Sequence, residues 1–139
     1  MIGIVVIGHG RLAKEMIQTA EFVAGPMEKV QALEMNPDLP QEKLENQIRE
    51  AIKQVDGGEG VLILTDMFGG TPSNLSLSFL EAGKVEVISG VNLPMLLKLF
   101  GEREGIDLHQ YAQEIKASGQ RHISLASEIL EIPLKSGKK

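Results

Sequence analysis

The stretch Val61-Leu62-Ile63-Leu64-Thr65-Asp66-Met67-Phe68-Gly69-Gly70-Thr71-Pro72-Ser73-Asn74 constrains this chain's fold more than any other. Its first five residues follow the breaker run Asp56-Gly57-Gly58-Glu59-Gly60. They are too few for a helix and show no polar alternation, which predicts a strand buried on both faces. Asp66 then stands at the strand's carboxyl end. Two glycines permit a sharp turn beyond it, and Thr71-Pro72 reads as a helix start with Thr as the cap and Pro in the first turn. Where such a loop meets the next helix, open α/β sheets place their ligands and their chemistry.

The rest of the chain repeats the alternation. Ile2 to Ile7 is a second continuous aliphatic run, ending in Gly8-His9-Gly10, and predicts another buried strand. From Arg11 the period lengthens to a helical one, with Leu12, Met16, Ala20 and Val23 on one face, and Gly25-Pro26 ends it. Glu28 to Met35 reads as a strand. Leu44, Ile48, Ile52 and Val55 give the cleanest amphipathic helix in the sequence. After the central strand come a helix through Leu75, Leu77, Phe79 and Leu80, a strand over Lys84 to Ser89, the loop Gly90 to Pro94, a helix from Met95 to Arg103, and a long helix capped by Asp107. Ile129 to Leu134 alternates briefly and suits an edge strand, where proline is tolerated. The order predicts a doubly wound, mainly parallel four-stranded sheet with helices on both faces and an added antiparallel edge strand. It also brings the loops after His9 and Asp66 to one edge of the sheet, where the two side chains face each other if strands one and three are neighbours.

With 139 residues the chain suits one domain, placed at residues 1–134, and the lysine-rich remainder 135–139 reads as a disordered tail. Its 14 basic residues against 19 acidic ones leave a net charge of −5, which argues against nucleic acid or anionic membrane as the partner. Cysteine is absent, so disulfides and thiolate chemistry are excluded. No secretion signal and no apolar run near the ~20 residues that cross a bilayer is found, and the expected location is the cytoplasm.

His9, between two glycines at a strand end, has the chemistry of a base, a ligand or a nucleophile. An Asp that accepts the proton of one imidazole nitrogen leaves the other nitrogen's lone pair free, and Asp66 is placed for that task. Zinc fits poorly, since His109 and His122 lie in the last helical region and no cysteine completes a set. The loop Gly69-Gly70-Thr71-Pro72-Ser73-Asn74 offers free amides and two hydroxyls at a helix start, an arrangement that accepts an anion. It is not a nucleotide-binding loop, because no Lys precedes Thr71, and Gly8-His9-Gly10 lacks the third glycine of a dinucleotide fingerprint. No cofactor and no metal is expected.

Gly8-His9-Gly10 after the first strand, the segment Leu64 to Asn74, and Ile88-Ser89-Gly90-Val91-Asn92-Leu93-Pro94-Met95-Leu96 together resemble the three signatures of the mannose-type enzyme IIA domain of the bacterial phosphoenolpyruvate:sugar phosphotransferase system (PTS). They stand in that family's order and spacing. The resemblance implies that His9 takes a phosphoryl group on Nε2 from the phosphocarrier HPr and passes it to an EIIB protein. It implies that Asp66 orients the ring through Nδ1, and that Gly69, Gly70, Thr71 and Ser73 meet the phosphoryl oxygens. Gly8, Gly10, Arg11, Phe68, Asn92 and Pro94 would rim the site. It further implies a homodimer that exchanges the edge strand, with the membrane reached only through the permease components. Transport members are often continued by an Ala/Pro-rich tether and an EIIB domain, and no such tether occurs in these residues; the expected acceptor is an EIIB domain or protein, in sugar uptake or in a regulatory phosphorelay. The competing reading is a regulatory module that binds HPr or another partner through this face without transfer. A hydrolase is disfavoured, since no nucleophile elbow is evident.

Overall fold

The computed structural model describes residues 1–133. Four strands, β1 (Gly3–His9), β2 (Val30–Met35), β3 (Val61–Thr65) and β4 (Val85–Ser89), form one parallel sheet in the order β2-β1-β3-β4. The helices are α1 (Leu12–Ala24), α2 (Gln41–Val55), α3 (Thr71–Leu77), α4 (Leu93–Lys98), α5 (Leu108–Arg121) and α6 (Ala126–Ile129). The expected parallel α/β sheet is therefore present, and β3 spans the five residues anticipated for it.

The central strands are buried on both sides because their alternate residues serve two separate cores. Ile4, Val6, Leu62 and Leu64 pack with α1, α4 and α5. Val5, Ile7, Val61 and Ile63 turn to the opposite face and pack with Leu44, Ile48, Ala51 and Val55 of α2 and Leu75 of α3. Each of these aliphatic side chains removed from water stabilises the fold by about 1.5–3 kcal/mol.

Several elements depart from expectation. The buried residues of α1 are Ala13 and Ala20, with Met16 and Ile17 beside them, while Leu12 and Val23 are exposed. Of the expected face Met16 and Ala20 are therefore borne out, while Leu12 and Val23, at the two ends of the helix, turn outward. Helix α3 is shorter than its apolar pattern suggests and stops at Leu77, where Ser76 Oγ bonds the Pro72 carbonyl and Ser78 Oγ the Leu75 carbonyl. Such back-bonding favours a helix end over continuation. Helix α4 begins earlier, at Leu93, because the Asn92 side chain caps it by accepting from the Met95 N–H at 3.1 Å. Gly119 does not interrupt α5; Met95 fills the space a side chain there would occupy. Residues expected to make an edge strand instead begin in the short α6, Leu134 lies outside the described residues, and no fifth strand occurs among those described.

Gly3 is the tightest joint of the framework. A Cβ at this position would stand 2.3 Å from the Val55 carbonyl oxygen and 2.7 Å from its carbon, backbone atoms that cannot swing aside. Gly3→Ala is expected to destabilise the protein by about 1–3 kcal/mol in urea unfolding. An unchanged midpoint would show that β1 and α2 are not held as closely as described.

Candidate functional site

Strand order decides which loops meet. β1 and β3 are adjacent and parallel, with Ile7 opposite Thr65, so Gly8-His9 and Asp66 leave the sheet side by side. Their following helices then diverge, α1 leading to β2 on one side and α3 to β4 on the other. A crevice opens at such a divergence, and its floor here is the His9–Asp66 pair.

One carboxylate oxygen holds the histidine twice. Asp66 Oδ2 accepts the His9 backbone N–H at 2.8 Å and lies 2.7 Å from His9 Nδ1. Asp66 Oδ1 accepts the Met67 N–H at 2.8 Å. Both oxygens are thus occupied by donors, and the side chain is only 10 % exposed. Burial by itself pushes the Asp66 pKa up, but the bonds from the His9 N–H, the His9 ring and the Met67 N–H outweigh it, and the net value lies below the usual carboxylate range. An ionised carboxylate only accepts, so the proton of the neutral ring sits on Nδ1 and Nε2 carries the lone pair. The His9 side chain is 53 % exposed, which leaves that lone pair open to solvent and to a macromolecule.

Gly70 keeps the far edge of the ring clear. A Cβ built there would lie 2.7 Å from His9 Cε1 and 3.2 Å from Nε2. Gly70 is also the N-cap of α3, displacing Thr71 by one position into the first turn, with Pro72 next. Gly69, at φ 91°, makes the turn that brings Gly70 against the imidazole. Asn74 closes the loop from behind, its N–H donating to the Gly70 carbonyl at 2.9 Å and its Nδ2 to that of Gly69 at 3.3 Å.

Other anticipated residues fall differently. Thr71 is exposed, but Ser73 is fully buried and its Oγ lies 3.1 Å from Ser89 Oγ, so this hydroxyl does not reach the open face. Arg11 is exposed at the start of α1 and reaches Glu15 at 3.3 Å. Phe68 is exposed beside the loop, whereas the Asn92 side chain is committed to structure, donating to the Gly119 carbonyl at 3.0 Å besides capping α4; Pro94 sits in the first turn of α4. His109 pairs with Glu86 at 3.1 Å and His122 with the Ser118 carbonyl at 2.7 Å. Among the described residues no group of three or more His, Cys, Asp or Glu is placed to hold a metal, and no helix is long and apolar enough to cross a membrane. The element that sequence reasoning missed is Ser89, whose hydroxyl lies between Thr65 and Ser73.

The arrangement is a half-exposed imidazole oriented through Nδ1 by a carboxylate, beside a glycine turn. Residues 3–116 match the family described as PTS system fructose IIA component. The chain is 30 % identical over 132 residues to the PTS system fructose-specific EIIA component of Bacillus subtilis, covering 94 % of this chain and 90 % of that one. It is 35 % identical over 104 residues to the PTS system mannose-specific EIIAB component of Escherichia coli, which covers 74 % of this chain but only 32 % of that longer protein. The crystal structure of the PTS IIA protein associated with the fucose utilization operon from Streptococcus pneumoniae superposes with a TM-score of 0.80 at 29 % identity, over 92 % of this chain and 95 % of that one.

The lowered Asp66 pKa carries a consequence for stability. A carboxylate whose folded pKa is depressed contributes fully above the unfolded value, about 3.9, and its contribution is lost as pH falls through the lower folded value. The unfolding free-energy difference between the native chain and Asp66→Asn is therefore expected to be level near neutrality and to shrink below about pH 4. Denaturant unfolding across that range checks it, and a difference that stays level into strong acid contradicts the assignment.

Proposed function

The chain belongs to the mannose/fructose/sorbose family of PTS EIIA domains and is a phosphoryl carrier, and we propose that His9 is the residue that carries the group. In this reading His9 Nε2 attacks the phosphorus of phospho-HPr, a P–N bond forms on His9 as the bond to the donor breaks, and the reverse event hands the group to an EIIB protein. Asp66 keeps the proton on Nδ1 and offsets the charge that the ring gains. The Gly69 and Gly70 amides and the Thr71 hydroxyl meet the equatorial oxygens, where positioning and charge neutralisation matter more than covalent help. Gly8, Gly10, Arg11 and Phe68 form the rim against which the two partners dock. The single observation that carries this reading is the 2.7 Å contact between His9 Nδ1 and Asp66 Oδ2, made by a ring whose other side is open.

The carrier unit spans residues 1–134 and works in the cytoplasm, where it meets HPr. Two copies exchange an edge strand drawn from Ile129 to Leu134. What supports this is a sheet edge whose outer side carries only the short Glu81–Val85 bridge among the described residues, and an exposed apolar segment elsewhere on the same chain. β4 is the last strand of the sheet, and a cleft of about 370 Å³ beside it is lined by Phe68, Val87, Ile88, Met95 and Ile123. Ile123, Leu125, Ile129, Leu130 and Ile132 are 51–76 % exposed, an apolar surface of the kind that a second copy would cover.

Incubation with phosphoenolpyruvate, enzyme I and HPr is expected to give one acid-labile, alkali-stable phosphoryl adduct, absent in His9→Ala and formed more slowly in Asp66→Asn; an adduct that persists in His9→Ala would falsify the assignment. Gly70→Ala is expected to slow transfer by about tenfold or more while lowering the thermal midpoint by far less than Gly3→Ala, whose clash is with backbone. The Gly70 backbone angles, φ −84° and ψ 170°, suit alanine, so the added methyl acts through the exposed His9 ring that it meets at Cε1 and Nε2. In sedimentation the full chain is expected to run as a dimer, and a chain ended after Arg121 as a monomer. A monomeric full chain removes the exchange.

A further inference from the structure

Behind the glycine turn lies a chain of three hydroxyls that the transfer chemistry does not use. Thr65 Oγ1 donates to Ser89 Oγ at 2.9 Å, and Ser89 Oγ lies 3.1 Å from Ser73 Oγ. Thr65 and Ser73 are wholly buried. Thr65 is the last residue of β3 and immediately precedes Asp66, Ser89 ends β4, and Ser73 occupies the first turn of α3, three residues after Gly70. The hydroxyls therefore connect the strand that delivers Asp66 to the helix that follows Gly70. Beyond them both segments converge on one imidazole, Asp66 at Nδ1 and Gly70 at the Cε1–Nε2 edge.

We propose that Thr65, Ser89 and Ser73 are positioning residues for phosphoryl transfer, setting the distance between Asp66 and the Gly69-Gly70 turn so that Nε2 is held in orientation and left uncovered. This rests on the carrier reading of His9. Apolar side chains of similar volume fill a buried space as well as hydroxyls do and cost no desolvation, so stability alone does not call for three bonded hydroxyls here. Hydrogen bonds add direction and a defined separation. That separation has little slack, because even one methyl group on Gly70 would meet the ring. A shift of α3 by about 1 Å towards His9 would cover Nε2, and an equal shift away would draw the turn's amides off the phosphoryl oxygens.

The test compares the native chain with Ser73→Ala, Thr65→Val, the pair combined, Ser89→Ala and Ser89→Thr, using phospho-HPr as donor. Each single removal is expected to lower kcat by about tenfold with KM for phospho-HPr unchanged. Full phosphorylation of His9 is still expected at long times, together with a displaced phosphorus NMR signal for the adduct. The combined variant should be no slower than either single change, since both break one chain. Ser89→Thr, which keeps the hydroxyl at a half-buried strand end, should restore the rate. An unchanged kcat, a loss that follows only the fraction of folded protein, or independent additive losses would each overturn the proposal. Absence of any adduct on the native chain would instead overturn the carrier reading itself, so the two failures are distinct.

Discussion

The site depends on one oxygen. Asp66 Oδ2 receives both the backbone and the ring of His9, so a single carboxylate fixes where the histidine's main chain leaves the sheet and which of its ring nitrogens bears the proton. Chemistry and architecture are thereby joined. The contact exists because β1 and β3 are neighbours in register, which in turn follows from two strands whose alternate side chains fill two different cores. A carboxylate so engaged stays ionised, and an ionised carboxylate accepts the Nδ1 proton and leaves the lone pair on the opposite nitrogen.

Around that contact the loop residues divide by role. Some are small so that something else can approach: Gly70 lets the ring's outer edge stay bare, and Gly3, at the opposite end of β1, lets the strand sit against the end of α2. Others hold: Asn74 ties back the glycine turn, and Asn92 ties α4 to α5. The polar residues at the carboxyl edge of the sheet mostly serve the framework, and few of them are turned to the open face.

Much of this was legible in the residue order, and the exceptions have physical causes. The aliphatic runs located β1 and β3, and their adjacency made the pairing of His9 with Asp66 foreseeable. The face of α1 was only half so: Met16 and Ala20 face the core as the period indicated, but Leu12 and Val23 at its two ends are exposed and Ala13 is buried instead. Ser73 was counted with Thr71 as one of two hydroxyls that the loop and the family resemblance offered to an anion. In the structure Ser73 lies three residues beyond the Gly70 cap and its hydroxyl turns inward to Ser89, a contact between distant elements that the loop's residue types do not announce. The bonded trio with Ser89 joins residues from three separate elements, which no local pattern encodes. The segment from Ile129 reads as a strand by composition, but a strand needs an adjoining edge, and within one copy this segment begins in a helical turn instead.

The half-exposed ring of His9 has a last implication, for timing. About half of that side chain faces solvent, so water has access to the loaded form as a partner has. Such a molecule stores its cargo only as long as the nitrogen–phosphorus linkage itself endures. Throughput then rests on how often acceptors arrive, and the concentration of the next protein in line, rather than any latch in this one, decides how much of the load is delivered and how much is spilled.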